Sequence, residues 1–185
     1  MTKVIYMDLN RCIFCRACEV ACEKEHNGIS NMFVQLVDER YAVPMNCRHC
    51  ETSPCTLVCP TQAVHREGPD AVIVDTMVCI GCKLCNLACP FGMIWPDTFN
   101  KVARKCDLCI HRRQAGLDPA CVATCSARAL AFGELDDFLD NIHKGSGETI
   151  IHSAGGESGT LITLPSNGKD PMTMKSISSE KGVTA

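Results

Sequence analysis

Aromatic side chains, long apolar runs and blocks of like charge are all scarce in this sequence. Phe, Tyr and Trp make up 5% of the 185 residues, which leaves few large side chains to fill a core. No stretch approaches the roughly eighteen apolar residues of a membrane-spanning helix. The net charge is only -3, and no block of Lys or Arg points to nucleic acid as a partner. Something other than hydrophobic burial is therefore expected to hold the chain together.

Cysteine, in contrast, is abundant. The sixteen cysteines approach the density of a disulfide scaffold. The segment from Met1 to Leu9 has a single lysine and lacks the apolar run of a secretory or twin-arginine signal, so we expect a cytoplasmic protein with no direct membrane span. Thiols are kept reduced in that compartment, so cysteines in this number are expected to bind metal.

The sixteen cysteines fall into four groups of four, with none left over. Group one is Cys12, Cys15, Cys18 and Cys22; group two is Cys47, Cys50, Cys55 and Cys59; group three is Cys79, Cys82, Cys85 and Cys89; group four is Cys106, Cys109, Cys121 and Cys125. The segments from Asp8 to Cys22 and from Asp75 to Cys89 share the pattern D-x3-C-I-x-C-x2-C-x2-A-C. Groups two and four share C-x2-C, a gap of four or eleven residues, and C-x3-C-x3-A. Two kinds of half-module in alternation are typical of duplicated ferredoxin units.

This spacing favours 4Fe-4S clusters as the bound metal. A C-x2-C-x2-C loop supplies three of the four thiolates that a 4Fe-4S cube needs. Zinc is the rival interpretation, but its thiolate sites are usually built from two C-x2-C pairs set well apart. We therefore predict four 4Fe-4S clusters as cofactors. The predicted fold class is α+β, with two interleaved bacterial-ferredoxin-like modules of short strands and helices around the clusters and a C-terminal extension.

The ligands of each cluster follow from a rule of two-cluster bacterial ferredoxins, in which the last cysteine of each run binds the neighbouring cluster. Groups two and three then form an inner module, and groups one and four an outer module. The rule assigns Cys12, Cys15, Cys18 and Cys125 to cluster 1; Cys22, Cys106, Cys109 and Cys121 to cluster 2; Cys47, Cys50, Cys55 and Cys89 to cluster 3; and Cys59, Cys79, Cys82 and Cys85 to cluster 4. No catalytic residue is predicted, because no nucleophile-base pair, phosphate loop or dinucleotide-binding fingerprint is present.

The predicted domain organisation follows the groups. The cluster domain spans residues 1–144, with the outer module formed by 1–30 plus 100–133 and the inner module by 45–98. Residues 145–185 are a Gly/Ser/Thr-rich tail, which is either a flexible terminus or an arm that orders on a partner subunit.

Short secondary structure elements are predicted between the groups. The strands are 3–7, 33–37, 63–66, 71–75 and 129–133. Helices are predicted to begin at Glu19, Lys83 and Pro119, and an amphipathic helix is predicted over residues 134–143. A turn over residues 67–70 is expected to join two of the strands into a hairpin.

Charged and polar residues beside the groups have predicted roles of their own. An oxidised 4Fe-4S cluster with four thiolates carries about two negative charges, so nearby cations could raise cluster potentials, face an acidic partner, or be ordinary surface charge. The cations are Arg11, Arg16, Arg48, Lys83, Arg104, Lys105, Arg112 and Arg113. We predict that Asp8 and Asp75 cap the turns entering two cluster loops and that Trp95 is a packing residue. His26, His49, His65 and His111 are predicted to face solvent or to lie beside the ligands.

Several motifs around the groups carry a family resemblance. They are Glu25-His26-Asn27 after Cys22, Cys47-Arg48-His49-Cys50, Cys79-Ile80-Gly81-Cys82, Lys105-Cys106-Asp107-Leu108-Cys109, and the long gap from Cys109 to Cys121. With them, the chain from Lys3 to Asp137 resembles the four-cluster iron-sulfur subunits that accompany molybdopterin or tungstopterin oxidoreductases of the DMSO reductase type. Similar chains serve hydrogenases and carbon monoxide dehydrogenases. Glu23 and Ser126 depart from the ferredoxin pattern, which has proline after the last cysteine of each run.

The resemblance implies a non-catalytic electron-transfer subunit that relays single electrons through four clusters to or from a separate catalytic subunit. The first expectation for that partner is a pterin enzyme acting on formate or an aldehyde, and the second is a hydrogenase or carbon monoxide dehydrogenase. Further copies of the chain or a second electron-transfer subunit are additional expected partners. The alternative function is a free polyferredoxin or a self-assembling electron-conducting oligomer.

Overall fold

Short strands and short helices alternate along the chain. The computed structural model describes residues 3–39, 41–138, 149–151 and 160–163. The strands are β1 (Lys3–Asp8), β2 (Phe33–Val37), β3 (Tyr41–Met45), β4 (Val64–Glu67), β5 (Ala71–Val74), β6 (Trp95–Pro96), β7 (Ala103–Arg104), β8 (Leu130–Glu134), β9 (Thr149–Ile151) and β10 (Thr160–Thr163). The helices are α1 (Ala17–Glu25), α2 (Pro54–Leu57), α3 (Leu84–Ala88), α4 (Ile110–Gln114) and α5 (Ala120–Ala123). The result is a small mixed α and β fold, as predicted at the level of fold class.

Equivalent segments of the sequence repeat form equivalent antiparallel strand pairs in the structure. β1 pairs with β8, and Met7 lies opposite Leu130. β4 pairs with β5 in the predicted hairpin, and Val74 lies opposite Val64 at the equivalent positions of the repeat. The N–H of Asp8 donates to the Ala129 carbonyl at 2.8 Å, and the N–H of Asp75 donates to the Ala63 carbonyl at 2.7 Å. The Asp and Ala shared by the half-modules are therefore hydrogen-bonded to each other in both strand pairs.

The helices pack in the same combinations as the strands. α1 packs against α5, and α2 packs against α3, so group one meets group four and group two meets group three. Two apolar cores accompany these pairs. One contains Ile5, Met7, Leu9, Leu108 and Leu130 with Cys18, Cys22 and Cys121, and the other contains Val64, Val72 and Ile94 with Cys55 and Cys85. Cysteine side chains are thus part of both cores, which explains how a chain with few aromatics fills its interior.

Some elements differ from the sequence predictions. The helices α1, α3 and α5 begin one or two residues away from the predicted starts at Glu19, Lys83 and Pro119. The bounds of the five predicted strands agree with the structure within a residue or two. The strand β3 was not predicted, because its Pro44 disfavours a strand assignment. The helices α2 and α4 were also missed, since four or five residues are too few to show a helical period.

The segment after β8 contributes to the same sheet as β1. The four-stranded sheet has the order β8-β1-β10-β9, with β10 parallel to β1 and antiparallel to β9. Residues 135–138 are helical; Leu135 packs with Val4, and Phe138 stacks on Tyr6 with ring centroids 5.2 Å apart. Residue 134 of the predicted helix 134–143 is the end of β8 instead, and residues 139–143 lie outside the described residues. The division at residue 145 and the role of the tail stay predictions. In the described part of the chain, no helix is long and apolar enough to cross a membrane.

Candidate metal centres

Four cysteines from two groups line a cavity at one end of the inner pair of helices. The cysteines in its wall are Cys59, Cys79, Cys82 and Cys85. Burial raises the pKa of the Cys85 thiol, and the charges at Cys59, Cys79 and Cys82 raise it further. Four thiolates therefore repel one another here unless a cation neutralises them. Cys59, the last cysteine of group two, lies with the first three cysteines of group three.

A second cavity contains the complementary set. Its cysteines are Cys47, Cys50, Cys55 and Cys89. Burial raises the pKa of Cys55 to about 11, and charges at Cys47, Cys89 and Cys50 contribute to the increase. Ile94 lies in the wall of both cavities, so its side chain lies between the two inner sets.

The outer groups converge in the first apolar core. Cys12, Cys18, Cys22, Cys121 and Cys125 all belong to it. Burial raises the pKa of Cys18 to about 12, with Cys12 among the charges that contribute. Burial also raises the pKa of Cys121, and charges at Cys109, Cys22 and Cys18 add to the effect. Charges from thiols of both predicted outer clusters affect the pKa of Cys121. These contacts therefore bring six of the eight outer cysteines together without dividing them into two sets: Cys12, Cys18, Cys22, Cys109, Cys121 and Cys125.

The outer and inner groups approach each other through Cys106 and Cys47. These two cysteines share an apolar cluster with Met93, and Cys89 packs against it. Burial raises the pKa of Cys106, and the largest charge effect in the same direction comes from Cys47. The predicted clusters 2 and 3 are therefore neighbours at the junction of the two modules.

Backbone N–H groups point at several of the sulfurs. The last cysteines of three groups accept such bonds: Asn31 N–H donates to Cys22 Sγ at 3.3 Å, Met93 N–H to Cys89 Sγ at 3.3 Å, and Ala129 N–H to Cys125 Sγ at 3.2 Å. Cys106 Sγ accepts the Leu108 N–H at 3.4 Å. These donors favour the thiolate form, which is the form that binds iron.

The distances between ligand atoms argue against zinc. Thiolates around one Zn²⁺ at about 2.3 Å would lie roughly 3.8 Å from each other. In the described chain, the trio of ligand atoms that lie within 4.8 Å of one another comes from His26, Asp107 and Cys109, and no three cysteine sulfurs meet that distance. That trio is explained by the hydrogen bond of 3.0 Å between His26 Nε2 and Asp107 Oδ1. Sets of four separated thiols around a cavity fit a multi-atom group such as a 4Fe-4S cluster.

The structure divides the eight predicted cations into buried and exposed ones. Arg48 and Lys105 are each only 4% exposed. Arg48 lines the cavity of Cys47, Cys50, Cys55 and Cys89, and its Nε and Nη1 have no hydrogen-bond partner among the described residues. An unpaired buried guanidinium in the wall of a thiol-lined cavity indicates an anionic occupant, which again fits a cluster. Arg11 and Arg16 pair with the acidic side chains of Asp8 and Glu19 near the surface.

The other predicted residues have identifiable roles. Asp8 Oδ1 accepts the Asn10 N–H at 3.0 Å and Asp75 Oδ1 accepts the Met77 N–H at 2.8 Å, so both cap their turns as predicted. Trp95 packs edge-on against Phe33 with ring centroids 5.8 Å apart, which confirms its packing role.

The histidines differ in their surroundings. His49 is buried, and its Nδ1 accepts the Val72 N–H at 3.0 Å. Burial holds its pKa well below the usual value, so it is neutral. The hydrogen bond with Asp107, followed by that with Cys22, raises the pKa of His26 to about 11. His65 and His111 lie nearer the surface, beside Glu67 and Glu25 respectively.

Arg66 is a positioning residue that the sequence analysis missed. It lies on β4, and its guanidinium donates to the carbonyl oxygens of Cys50 and Glu51 in the group-two loop. It therefore holds the backbone that presents Cys50. Arg66 is sixteen positions from Cys50, the ligand that it helps to position, and seven from Cys59, the nearest cysteine, so the sequence does not link it to Cys50.

Left-handed backbone positions shape the cysteine loops. Gly81 has φ +67°, and a Cβ atom there would lie only 2.0 Å from the Lys101 carbonyl oxygen. Its repeat equivalent, Phe14, adopts φ 57°, so the loop accepts a side chain where no such backbone lies opposite.

We expect Gly81→Ala to displace the Cys79–Cys82 loop and to lower the iron content by about a quarter, the share of one cluster among four. Gly92→Ala is the matched control, because Gly92 has φ +63° but open space around its Cα. That variant should keep its iron and lose only the roughly 1–2 kcal/mol of left-handed strain. Iron analysis and urea denaturation of both variants measure the difference, and equal iron loss in the two would contradict the steric explanation.

Comparison with known proteins agrees with this site. Residues 37–135, more than half of the chain, match the family of the 4Fe-4S dicluster domain. The chain is 41% identical over 147 residues to the thiosulfate reductase electron transfer subunit PhsB of Salmonella typhi, covering 72% of this chain and 77% of the relative. It is 35% identical over 156 residues to one of the chains of the anaerobic dimethyl sulfoxide reductase of Escherichia coli, covering 71% and 73%. It is 32% identical over 177 residues to one of the subunits of the tetrathionate reductase of Salmonella typhimurium, covering 89% and 68%.

The chain therefore belongs to the 4Fe-4S dicluster domain family, and the predicted resemblance to iron-sulfur subunits of the DMSO reductase type is confirmed. Its cofactors are 4Fe-4S clusters, and sixteen cysteines are consistent with four of them. The thiosulfate reductase relative is named as an electron transfer subunit, which agrees with an electron-transfer role.

Proposed function

We propose that this chain is the non-catalytic electron-transfer subunit of an oxidoreductase complex and relays single electrons through four clusters. The proposed ligands are those assigned by the crossing rule, with two interleaved modules. When bound, each 4Fe-4S cluster takes up and releases one electron. The thiol-lined cavities at Cys59 to Cys85 and at Cys47 to Cys89 support the inner assignments, and the pairings of β1 with β8 and of α1 with α5 support an outer module.

The exposure of the cysteines is the observation that carries the relay. All sixteen lie in the described part of the chain, and only Cys15 and Cys82 are exposed. Cys15 belongs to proposed cluster 1 in the outer module, and Cys82 to proposed cluster 4 in the inner module. Cys106 and Cys47 connect the modules between them. Two accessible ends joined by a buried middle are the arrangement expected of a protein that takes electrons at one face and delivers them at another.

The inner end also has the apolar surface expected of a subunit. Exposed side chains beside Cys82 include Met77, Ile80 and Leu87, and Leu57 lies on the helix that packs against α3. Their equivalents in the repeat are Asn10, Ile13, Val20 and Ala123, a less apolar set. Large exposed apolar side chains in such number are typical of protein interfaces. This difference between two equivalent ends favours a subunit over the free polyferredoxin.

The relatives favour a particular class of partner. Their names refer to thiosulfate, dimethyl sulfoxide and tetrathionate reductases. We therefore propose a pterin-dependent reductase of a sulfur compound ahead of the formate or aldehyde enzyme of the sequence prediction. A hydrogenase or carbon monoxide dehydrogenase follows as a candidate.

Two measurements test this proposal. The purified chain should contain about sixteen iron atoms and about sixteen sulfides, and its reduced form should show several interacting 4Fe-4S signals in electron paramagnetic resonance. About four metal ions without sulfide would contradict it.

The complex purified from its own cells through a tag on this chain should contain molybdenum or tungsten, and should oxidise reduced viologen with tetrathionate, thiosulfate or dimethyl sulfoxide. Nickel would identify the hydrogenase or carbon monoxide dehydrogenase class, and a chain without any partner would support the polyferredoxin.

A further inference from the structure

Lys105 is a buried cation at the junction of the two modules. It is 4% exposed, although it carries an ammonium on a long flexible side chain. Its Nζ donates to the Val72 carbonyl on β5 and to the Cys106 carbonyl, the latter at 2.6 Å. Val72 belongs to the inner module and Cys106 to the outer one. The ammonium therefore lies between the two modules, where Cys106 approaches Cys47.

No carboxylate neutralises this ammonium. Among the residues that the structure describes, Lys105 forms no ion pair, whereas Arg113 pairs with Asp70 and Arg104 with Asp97. A buried ammonium without a counter-charge is unfavourable, so native proteins supply an anion. The anionic groups nearby are cysteine thiolates: Nζ is bonded to the carbonyl of Cys106, and its other acceptor, Val72, packs with Cys55 and lines the cavity of Cys47, Cys50, Cys55 and Cys89.

The fold itself does not require a cation at this position. Asn46 precedes Cys47 as Lys105 precedes Cys106, so the two are equivalent in the repeat, and Asn46 is buried too. The half-module thus folds with a neutral amide there. The ammonium at residue 105 needs a separate explanation.

We propose that Lys105 is a shared electrostatic tuning residue that raises the reduction potentials of clusters 2 and 3 together relative to clusters 1 and 4. The ammonium is bonded to the carbonyl of Cys106, a proposed ligand of cluster 2, and to that of Val72, which lines the cavity of the proposed cluster 3 ligands. This inference rests on the proposed cluster ligation.

The physical basis is the charge of the reduced state. One electron takes a four-thiolate 4Fe-4S cluster from about two negative charges to about three, with no bond made or broken and no proton required. A fixed positive charge stabilises the more negative state, and burial keeps this attraction strong. Exposed cations such as Arg11 and Arg16 act through water and are screened by salt, so their effect on the clusters is smaller. Lys105 thereby makes the two central clusters easier to reduce as a pair.

Arg48 supplies the matched comparison. It is equally buried, but the thiolates that act on it are Cys47 and Cys50, both ligands of cluster 3. Its guanidinium lies 6.0 Å from the Phe91 ring centroid, on the inner side of the junction. Removing Arg48 should therefore affect one cluster, and removing Lys105 should affect two.

The test is a redox titration of the full chain, followed by electron paramagnetic resonance, for the wild type and for Lys105→Met, Lys105→Arg and Arg48→Met. Iron and sulfide contents are measured first, so that loss of a cluster is distinguished from a change of its potential. Lys105→Met should lower the midpoint potentials of two clusters, with an about tenfold shift in the reduced-to-oxidised ratio, equivalent to about 59 mV for a one-electron couple. Arg48→Met should lower one potential, and Lys105→Arg should stay near the wild type.

Three results would overturn the proposal while leaving the four-cluster assignment intact. They are unchanged potentials in Lys105→Met with full iron content, an equal shift of all four clusters, and the same shift in Lys105→Arg as in Lys105→Met. If Lys105→Met does not retain its iron, Lys105→Gln replaces it, because the amide still donates a hydrogen bond while the charge is absent. Iron content well below four clusters in the wild type would instead refute the proposed function.

Discussion

Cys125→Ala is expected to remove cluster 1 and to leave clusters 2, 3 and 4 in place. Under the proposed crossing, Cys125 is the fourth ligand of the cluster held by Cys12, Cys15 and Cys18. A cube left with three thiolates loses iron readily, so the iron content should fall from roughly sixteen to about twelve atoms per chain. Cluster 1 contains one of the two exposed cysteines, Cys15. Electron exchange at the outer end should therefore fall by about two orders of magnitude or more, because the path ends at a missing centre.

Thiol alkylation identifies which cluster is lost. In Cys125→Ala, peptide mapping after alkylation should show modified Cys12, Cys15 and Cys18. The reciprocal variant, Cys22→Ala, should release Cys106, Cys109 and Cys121 instead, and it serves as the matched control. Modification of the group-four cysteines in Cys125→Ala would contradict the crossing and would mean that each outer group holds its own cluster. This experiment is needed for the outer module in particular, since charges on thiols of both proposed outer clusters raise the pKa of Cys121.

Ile94→Ala should destabilise both inner clusters at once. Ile94 is 1% exposed and forms part of the wall of both thiol-lined cavities. Truncating a fully buried Ile leaves a cavity and typically costs about 2–5 kcal/mol of stability. The space created here adjoins two sets of cysteines, so water reaches both. The expected result is faster loss of cluster absorbance in urea under anaerobic conditions, with about half of the iron released in the early phase.

Ile80→Ala is the control for this change. Ile80 lies beside Cys79, and its truncation to Ala removes the same atoms as Ile94→Ala. The Ile80 side chain, however, is 66% exposed. Exposed substitutions of this kind usually change stability by less than about 0.5 kcal/mol. Ile94→Val, which removes a single methylene, should fall between the two variants. A rate of cluster loss in Ile94→Ala equal to that in Ile80→Ala would show that Ile94 does not separate the inner clusters.

The sequence was most informative where structure is local. The hairpin of β4 and β5 and the turn-capping roles of Asp8 and Asp75 depend on contacts between near neighbours in the chain, and each was predicted. Elements with weak local signals were missed. Proline obscures β3, and α2 and α4 are too short to show a period. The pairing of β10 with β1 joins residues more than 150 positions apart, and no local pattern could indicate it.

For the cations, the sequence shows which of them lie near a ligand, and the folded structure shows which of them are buried. Near the ligands, Arg16, Arg48, Lys83 and Lys105 are indistinguishable in sequence, since each adjoins a cysteine. Their effect depends on the surrounding dielectric, which the packing of β5 and the group-four loop determines. Only the folded chain shows that Arg48 and Lys105 are buried.

The sequence by itself determined that this chain binds clusters, because four thiolates at such spacings have a chemistry that does not depend on distant residues. It also determined the duplication of the half-modules. The tertiary structure decided where the thiol sets meet and which of them face solvent at Cys15 and Cys82. It also decided that Cys106 and Cys47 join the modules beside an unpaired ammonium. These features arise from contacts between segments far apart in the chain, and charge, burial and distance there are properties of the fold.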